Sequence, residues 1–400
     1  MDQFQVVREL APALFGCILL CVNKSNGQHV AVKRMQLAAA AKHQSNEGPT
    51  VRYGVDLDAS PNDRSIDPMK VQEDVHVEKR VYRHVDKVGG HRNILRLLTS
   101  FEEDGHEHFV LEYCVRGDLF TMVQEAPHQH LPASQVLHYA HQICHGLSFL
   151  HSHGIAHGDI SLENVLVDAH GVAKLMDFGL AVESFHGMQS SSAVGKFFYM
   201  PPEMYMGAPY DASKADMWSL GILLVILHTG MPPFARAHSS GPFLRSVISV
   251  LMHDDRSCSV DHVFASFQRH GIRALLRGWN VLPRFSMDAV DLVEKLLVMI
   301  PATRLSVAQV LRHPYLTPPQ HHPVPKHAMM GTPEHAGSSC HSKMEHKTRS
   351  SGGVHRFFQR VFRKAVGSTN QSTLCGTLHD DSSERTLCND TPTSNNQMCT

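Results

Sequence analysis

The chain has 400 residues, 37 Lys and Arg against 38 Asp and Glu, and a formal net charge of -1. That balance provides no global basic field for nucleic acid and no acidic excess of the kind that keeps a whole chain unfolded. The length exceeds one average domain and suffices for a two-lobed enzyme with extra segments. Nine cysteines at irregular spacings, from Cys17 to Cys399, do not form a disulfide framework and point to a reducing compartment. The opening MDQFQVVREL lacks the basic head and apolar stretch of a secretory leader. Leu14 to Val22 and Met217 to Leu227 are too short to span a bilayer, so no transmembrane segment and a cytoplasmic location are expected. The 31 histidines are scattered, without H-E-x-x-H or Cys-x-x-Cys, and read as compositional bias rather than a metal centre.

In chain order, residues 4 to 33 alternate apolar and polar side chains and break at Asn23-Lys24-Ser25-Asn26-Gly27, which predicts strands joined by a turn. Residues of about 43–68 are polar and without a period, as an insertion would be. Val71, Val75, Val77, Val81, Tyr82 and Val85 recur at helical spacing, and a helix is expected over Val71 to Val85. Ile94 to Phe101 and Phe109 to Cys114 read as strands around the turn Glu102 to Gly105. Beyond Asp118 helical patterns dominate: Gln135 to His151 is amphipathic, Met217 to His228 is apolar on most faces, and Ser286 to Val298 opens on a capping serine. Residues of about 241–260 form a second expected insertion. The expected class is α+β, a small antiparallel sheet followed by a larger helical part.

After Tyr315 the composition turns to Pro, His, Ser, Thr and Asn, which predicts a disordered tail over 317–400. Within it, Val354 to Val366 places Phe357, Phe358, Val361, Phe362 and Ala365 on one helical face, with Arg356, Arg360, Arg363 and Lys364 around the rest. Such a segment is a candidate for calmodulin or an anionic membrane surface.

Chemistry concentrates between His157 and Glu203. Asp159 is followed five residues later by Asn164, then by Asp177-Phe178-Gly179 and Pro201-Pro202-Glu203. Phosphoryl transfer from ATP needs one carboxylate to orient the attacking hydroxyl, and a carboxylate plus an amide oxygen to hold magnesium. A lone D-F-G is a weak signal, but the ordered set H-x-D-x4-N, D-F-G, P-P-E resembles the catalytic and activation segments of the protein kinase family. In wording it is closest to the calcium/calmodulin-dependent group.

The resemblance covers residues 4–316 and implies a two-lobed protein kinase fold, split at about residue 113, with ATP and magnesium in the cleft. It implies an enzyme that phosphorylates Ser or Thr of protein substrates. Val30-Ala31-Val32-Lys33 resembles the strand that presents a lysine to the ATP phosphates, with Glu78 as its expected carboxylate partner and Glu73 as the second candidate. Leu111-Glu112-Tyr113-Cys114 resembles the hinge, where backbone groups of Glu112 and Cys114 would bond adenine and Asp118 would face the ribose. Ile18, Ala31 and Leu166 would sandwich the base. Asp159 becomes the acceptor-orienting base, and Asn164 and Asp177 the magnesium ligands. Glu203 would pair with Arg304, and Asp216 would anchor the catalytic loop.

Four positions depart from the family pattern. The phosphate loop reads Ala11-Pro12-Ala13-Leu14-Phe15-Gly16, so only the third glycine remains, and backbone approach to phosphate is restricted. Gly158 replaces an arginine that, in many relatives, grips a phosphorylated activation loop, so phosphate on Ser190, Ser191 or Ser192 loses its main expected partner. Ser161 stands where a lysine touches the transferring phosphate, and Lys196 stands where a threonine faces it. Those last two changes together suggest a relocated ammonium. The rival reading is a pseudokinase that binds partners without turnover.

Overall fold

The computed structural model describes residues 1–13, 15–37, 73–183, 189–190, 194–196, 198–206, 209–233 and 260–317. Both expected insertions, apart from the start of one helix at Val260, lie outside these residues, as do the tail beyond Thr317 and its basic segment.

Alternating side chains near the N-terminus form an antiparallel sheet: β1 (Phe4–Ala13), β2 (Gly16–Asn23) and β3 (His29–Gln36). β4 (Leu97–Glu103) and β5 (His106–Glu112) complete it in the order β1-β2-β3-β5-β4. The turn residues Asn23 and Asn26 accept hydrogen bonds from the backbone N–H groups of Ser25 and Gln28, which closes the β2–β3 hairpin. One face of the sheet buries Phe4, Cys21, Val30, Val32 and Val110. The opposite face receives helix α1 (Val75–Lys87).

α1 begins later than the periodicity predicts because the Asp74 carboxylate accepts from the backbone N–H groups of His76 and Val77 and caps the helix there. Val71 lies outside the described residues. Its buried stripe is Val75, Glu78, Val81, Tyr82 and Val85, so one carboxylate sits on an otherwise apolar face. The strand expected from Ile94 starts only at Leu97, since Ile94 and Leu95 are drawn to Leu175 on another sheet. Likewise the chain leaves β5 at Glu112, and Cys114 belongs to the connection between lobes.

The helical lobe is built on α2 (Leu119–Glu125), α3 (Ala133–Ser152), α4 (Ala212–Thr229), α5 (Val260–Gly278), α6 (Met287–Leu296) and α7 (Val307–Val310). Short strands interleave them: β6 (Ile155–Ala156), β7 (Val165–Val167), β8 (Ala173–Leu175) and β9 (Val182–Glu183). α4 is buried on every side from Ala215 onward, as its largely apolar sequence requires, and its N-terminus is capped by Asp211. Ser286 caps α6 through its hydroxyl, as its position before the apolar repeat predicts.

His228 near the end of α4 is 2 % exposed, packs on Phe285 with centroids 4.3 Å apart, and has Nε2 3.4 Å from the Tyr315 hydroxyl. Burial pushes its pKa from 6.5 down to about 4. Below pH 6.5 the unfolded chain therefore takes up a proton that the folded chain refuses, and stability falls as pH drops toward 4. That lowering corresponds to about 3 kcal/mol. Denaturant titrations at pH 7 and pH 4 should show wild type losing about that much more than His228→Leu; parallel losses would remove this assignment.

Candidate active site

Between the lobes, β3 places Lys33 directly opposite Ile18 on β2 and Phe109 on β5. Its ammonium donates to Glu78 Oε2 at 2.8 Å and to Asp177 Oδ1 at 3.2 Å. Burial alone would lower the Lys33 pKa, but the charges of Asp177, Glu78 and Glu73 outweigh it and hold the group well above its ordinary value. Glu73, the second candidate partner, is nearby but makes no bond to Lys33; burial, followed by the Asp177 charge, pushes it up to about 8.

Asp159 lies just after β6. Its Oδ2 accepts from the Asn164 amide at 2.6 Å and from the Lys196 ammonium at 2.7 Å, and its Oδ1 from the Lys196 backbone N–H at 3.2 Å. The Lys196 ammonium is also 3.0 Å from the Ser161 hydroxyl, and Ser161 is fully buried. Burial would lower the Lys196 pKa; Asp159 and Glu163 reverse this and raise it. Glu163 itself was not singled out from sequence, although it directly precedes Asn164. Its carboxylate is buried, which raises its pKa against the pull of Lys196.

The loop holding Asp159 is anchored from below by Asp216 on α4. Asp216 Oδ2 accepts from the His157 backbone N–H at 2.8 Å, with His151 Nε2 also 2.8 Å away, while Oδ1 accepts from Gly158 at 2.9 Å. Gly158 has φ +79°, and a Cβ there would stand 2.3 Å from the Leu180 carbonyl oxygen. An arginine at this position is therefore incompatible with the backbone as it runs here. Phe178 packs between His157, tilted at 5.3 Å, and Tyr82, edge-on at 5.0 Å, tying α1 to the loop that carries Asp159.

Asp177 adopts φ +66°, a strained conformation for a residue with a side chain. One of its oxygens bonds Lys33, and the Asn164 amide nitrogen is committed to Asp159, so Asn164 directs its carbonyl oxygen elsewhere. A carboxylate and an amide oxygen are hard donors of the kind magnesium takes. No group of three or more His, Cys, Asp or Glu among the described residues could cage a metal alone.

Of the residues expected to sandwich adenine, Ala31 and Leu166 pack half-buried against the main core, and Ile18 is half-buried on β2. The Glu112 backbone N–H donates to Arg96 O, and its side chain accepts from the Arg96 backbone and pairs with Lys174 at 3.1 Å. Cys114 is buried, and its carbonyl accepts from Gly117. Asp118 caps α2: it accepts from Thr121 N–H at 2.7 Å and from the Thr121 hydroxyl at 3.0 Å, a task the sequence reading did not assign to it. In the β1–β2 hairpin Ala11 pairs with Ile18 and Ala13 with Gly16, so the ladder extends to the tip. A Cβ on Gly16 would lie 2.0 Å from the Arg34 carbonyl oxygen, so its absence of a side chain serves the β3 contact. Leu14 lies outside the described residues, as do Ser191 and Ser192, whereas Ser190 is paired with Tyr210.

Behind the site, Glu203 and the fully buried Arg304 form a two-pronged ion pair at 2.5 and 2.7 Å. Arg304 also donates to Val298 O and Lys214 O and lies 4.9 Å over the Trp218 ring.

Residues 61–316 match the family of the protein kinase domain, and the strands bearing Lys33 precede that stretch. The chain is 26 % identical over 333 residues to an Aurora kinase of Yarrowia lipolytica, covering 82 % of this chain and 73 % of that protein. It is 30 % identical over 320 residues to calcium-dependent protein kinase 7 of Arabidopsis thaliana, covering 78 % of this chain and 49 % of that protein. It is 28 % identical over 303 residues to the serine/threonine-protein kinase GIN4 of Saccharomyces cerevisiae, covering 75 % of this chain but only 23 % of that protein. Aurora and calcium-dependent relatives match comparably, so the likeness to the calcium/calmodulin-dependent group is one of several. With the family match spanning more than half of its length, and an antiparallel sheet above a helical lobe enclosing these residues, the chain belongs to the protein kinase family, of the eukaryotic serine/threonine type.

Proposed function

We propose that this kinase domain transfers the γ-phosphoryl group of ATP to Ser or Thr of protein substrates through Asp159, Lys33, Glu78, Asn164 and Asp177. The observation that carries the reading is the convergence of Lys33, Glu78 and Asp177 on one side of the cleft with Asp159 and Asn164 on the other. Retention of all five favours the enzyme over the pseudokinase reading.

Lys33, fixed by Glu78, presents a positive charge to the nucleotide phosphates. Asn164 and Asp177 would hold magnesium, which when bound neutralises phosphate charge. Asp159 orients the acceptor hydroxyl and takes its proton. The hydroxyl oxygen bonds the γ-phosphorus as the bond from that phosphorus to the bridging oxygen breaks, and ADP leaves with the electron pair. Low turnover is not required by the alanine-proline loop, because Lys33 and not that loop supplies the fixed charge; weaker nucleotide affinity is its expected cost.

The test is nucleotide binding with and without magnesium, followed by transfer to mixed Ser, Thr and Tyr peptides. Magnesium-dependent binding with transfer to Ser or Thr supports the reading. Binding without transfer to any acceptor restores the pseudokinase alternative. A cytoplasmic site of action and docking of Val354 to Val366 on calmodulin or anionic membranes belong to the same proposal. A peptide of residues 351–368 that binds neither calcium-loaded calmodulin nor anionic vesicles at low salt removes the docking part.

A further inference from the structure

The acceptor side of the cleft contains a cation that no catalytic-loop residue supplies. Lys33 is 6 % exposed and pinned between Glu78 and Asp177. The Lys196 side chain is 35 % exposed and rests on Asp159 and Ser161, so it faces the place where the acceptor hydroxyl must come. Ser161 is fully buried, and its short side chain leaves the space that the Lys196 ammonium approaches. A phosphoryl group in flight spreads charge over its equatorial oxygens, and a fixed cation between base and phosphorus stabilises that charge.

We propose, resting on the kinase reading above, that Lys196 is the cation that contacts the transferred phosphoryl group, delivered by the activation segment in exchange for a catalytic-loop lysine. In the resting site its ammonium occupies Asp159 Oδ2. When acceptor and nucleotide enter, the hydroxyl takes that oxygen and the ammonium moves to the phosphoryl oxygens. The Lys196 backbone stays tied to Asp159 Oδ1, so position of the segment and supply of the cation are one event. Any displacement of the segment that breaks this bond also withdraws the charge.

The test is a four-way comparison of wild type, Lys196→Thr, Ser161→Lys and the double variant. Each is assayed for kcat, the KM for ATP, thermal unfolding, and binding of ADP alone and of ADP with magnesium and aluminium fluoride, a mimic of the planar phosphoryl group. Lys196→Thr should lower kcat by roughly ten- to a thousandfold. It should weaken the fluoride complex by a comparable factor while KM for ATP and ADP binding stay close to wild type. Ser161→Lys alone should be impaired, because two ammonium groups converge on one carboxylate. The double variant should recover much of the loss, a coupling that independent positions do not show. If Lys196→Thr fails to fold, Lys196→Gln replaces it, and Lys196→Arg should retain most of the activity. Unchanged kcat, equal weakening of ADP and its fluoride complex, or additive losses would overturn the assignment while leaving an active wild type as a kinase. A wild type that transfers no phosphate overturns the kinase reading and this proposal with it.

Discussion

Asp177→Ala should abolish measurable phosphoryl transfer while the domain remains folded. One Asp177 oxygen bonds Lys33, and the residue is assigned to magnesium together with Asn164. Its loss removes both the proposed metal ligand and the negative charge that helps to position Lys33. The Lys33–Glu78 bond at 2.8 Å persists, so the ammonium is not left unpaired and the cost in stability is modest. Magnesium-dependent tightening of nucleotide binding should disappear with the activity. Asp159→Ala should behave differently: nucleotide binding nearly unchanged, and kcat reduced by about 10²–10⁴-fold through loss of the base. Calorimetric nucleotide titration beside a steady-state assay separates the two. Undiminished turnover in either folded variant would sink the site assignment.

The second large effect concerns stability. Arg304→Ala strands the Glu203 carboxylate, which is 8 % exposed and otherwise engaged by both guanidinium nitrogens. Removing one partner of a buried pair typically costs about 3–5 kcal/mol, because an uncompensated charge stays behind. Here Arg304 also satisfies the carbonyls of Val298 and Lys214, which places the expected loss toward the upper end. For a domain of this size the Tm should fall by about 5–8 °C. Replacing both members together, Glu203→Leu with Arg304→Met, should recover part of that loss, since no buried charge is then left alone. A Tm within experimental error of wild type in Arg304→Ala would show that the pair contributes little to folding.

Much of the architecture is legible along the chain because it rests on local rules. Alternation over residues 4 to 33 and the Asn-rich break specify a hairpin, and the same residues form it. Ser286 before an apolar repeat specifies a helix start, and its hydroxyl caps that helix. The order Asp159, Asn164, Asp177 and Glu203 carries the family resemblance without any coordinates: the first three residue types suit the demands of phosphoryl transfer, and Glu203 forms the structural pair with Arg304. Element ends were less legible. β4 starts at Leu97 rather than Ile94 because a partner strand far along the chain captures Ile94, and α1 starts at Val75 because Asp74 outcompetes the apolar period.

Pairing across the fold is what only the tertiary structure decided. Glu78 is the expected partner of Lys33 and Glu73 the second candidate, and the turn of α1 brings Glu78 to Lys33 across 45 residues. Asp118, expected from the resemblance to face the ribose, also caps a helix that periodicity did not reveal. The sequence shows that Ser161 and Lys196 both depart from the pattern, and the resemblance implies that the two positions face each other, but the bond between them is a tertiary contact. Their approach to 3.0 Å over 35 residues depends on how the activation segment folds back onto the catalytic loop. The contact is set by packing and charge between distant segments, and local sequence patterns specify neither.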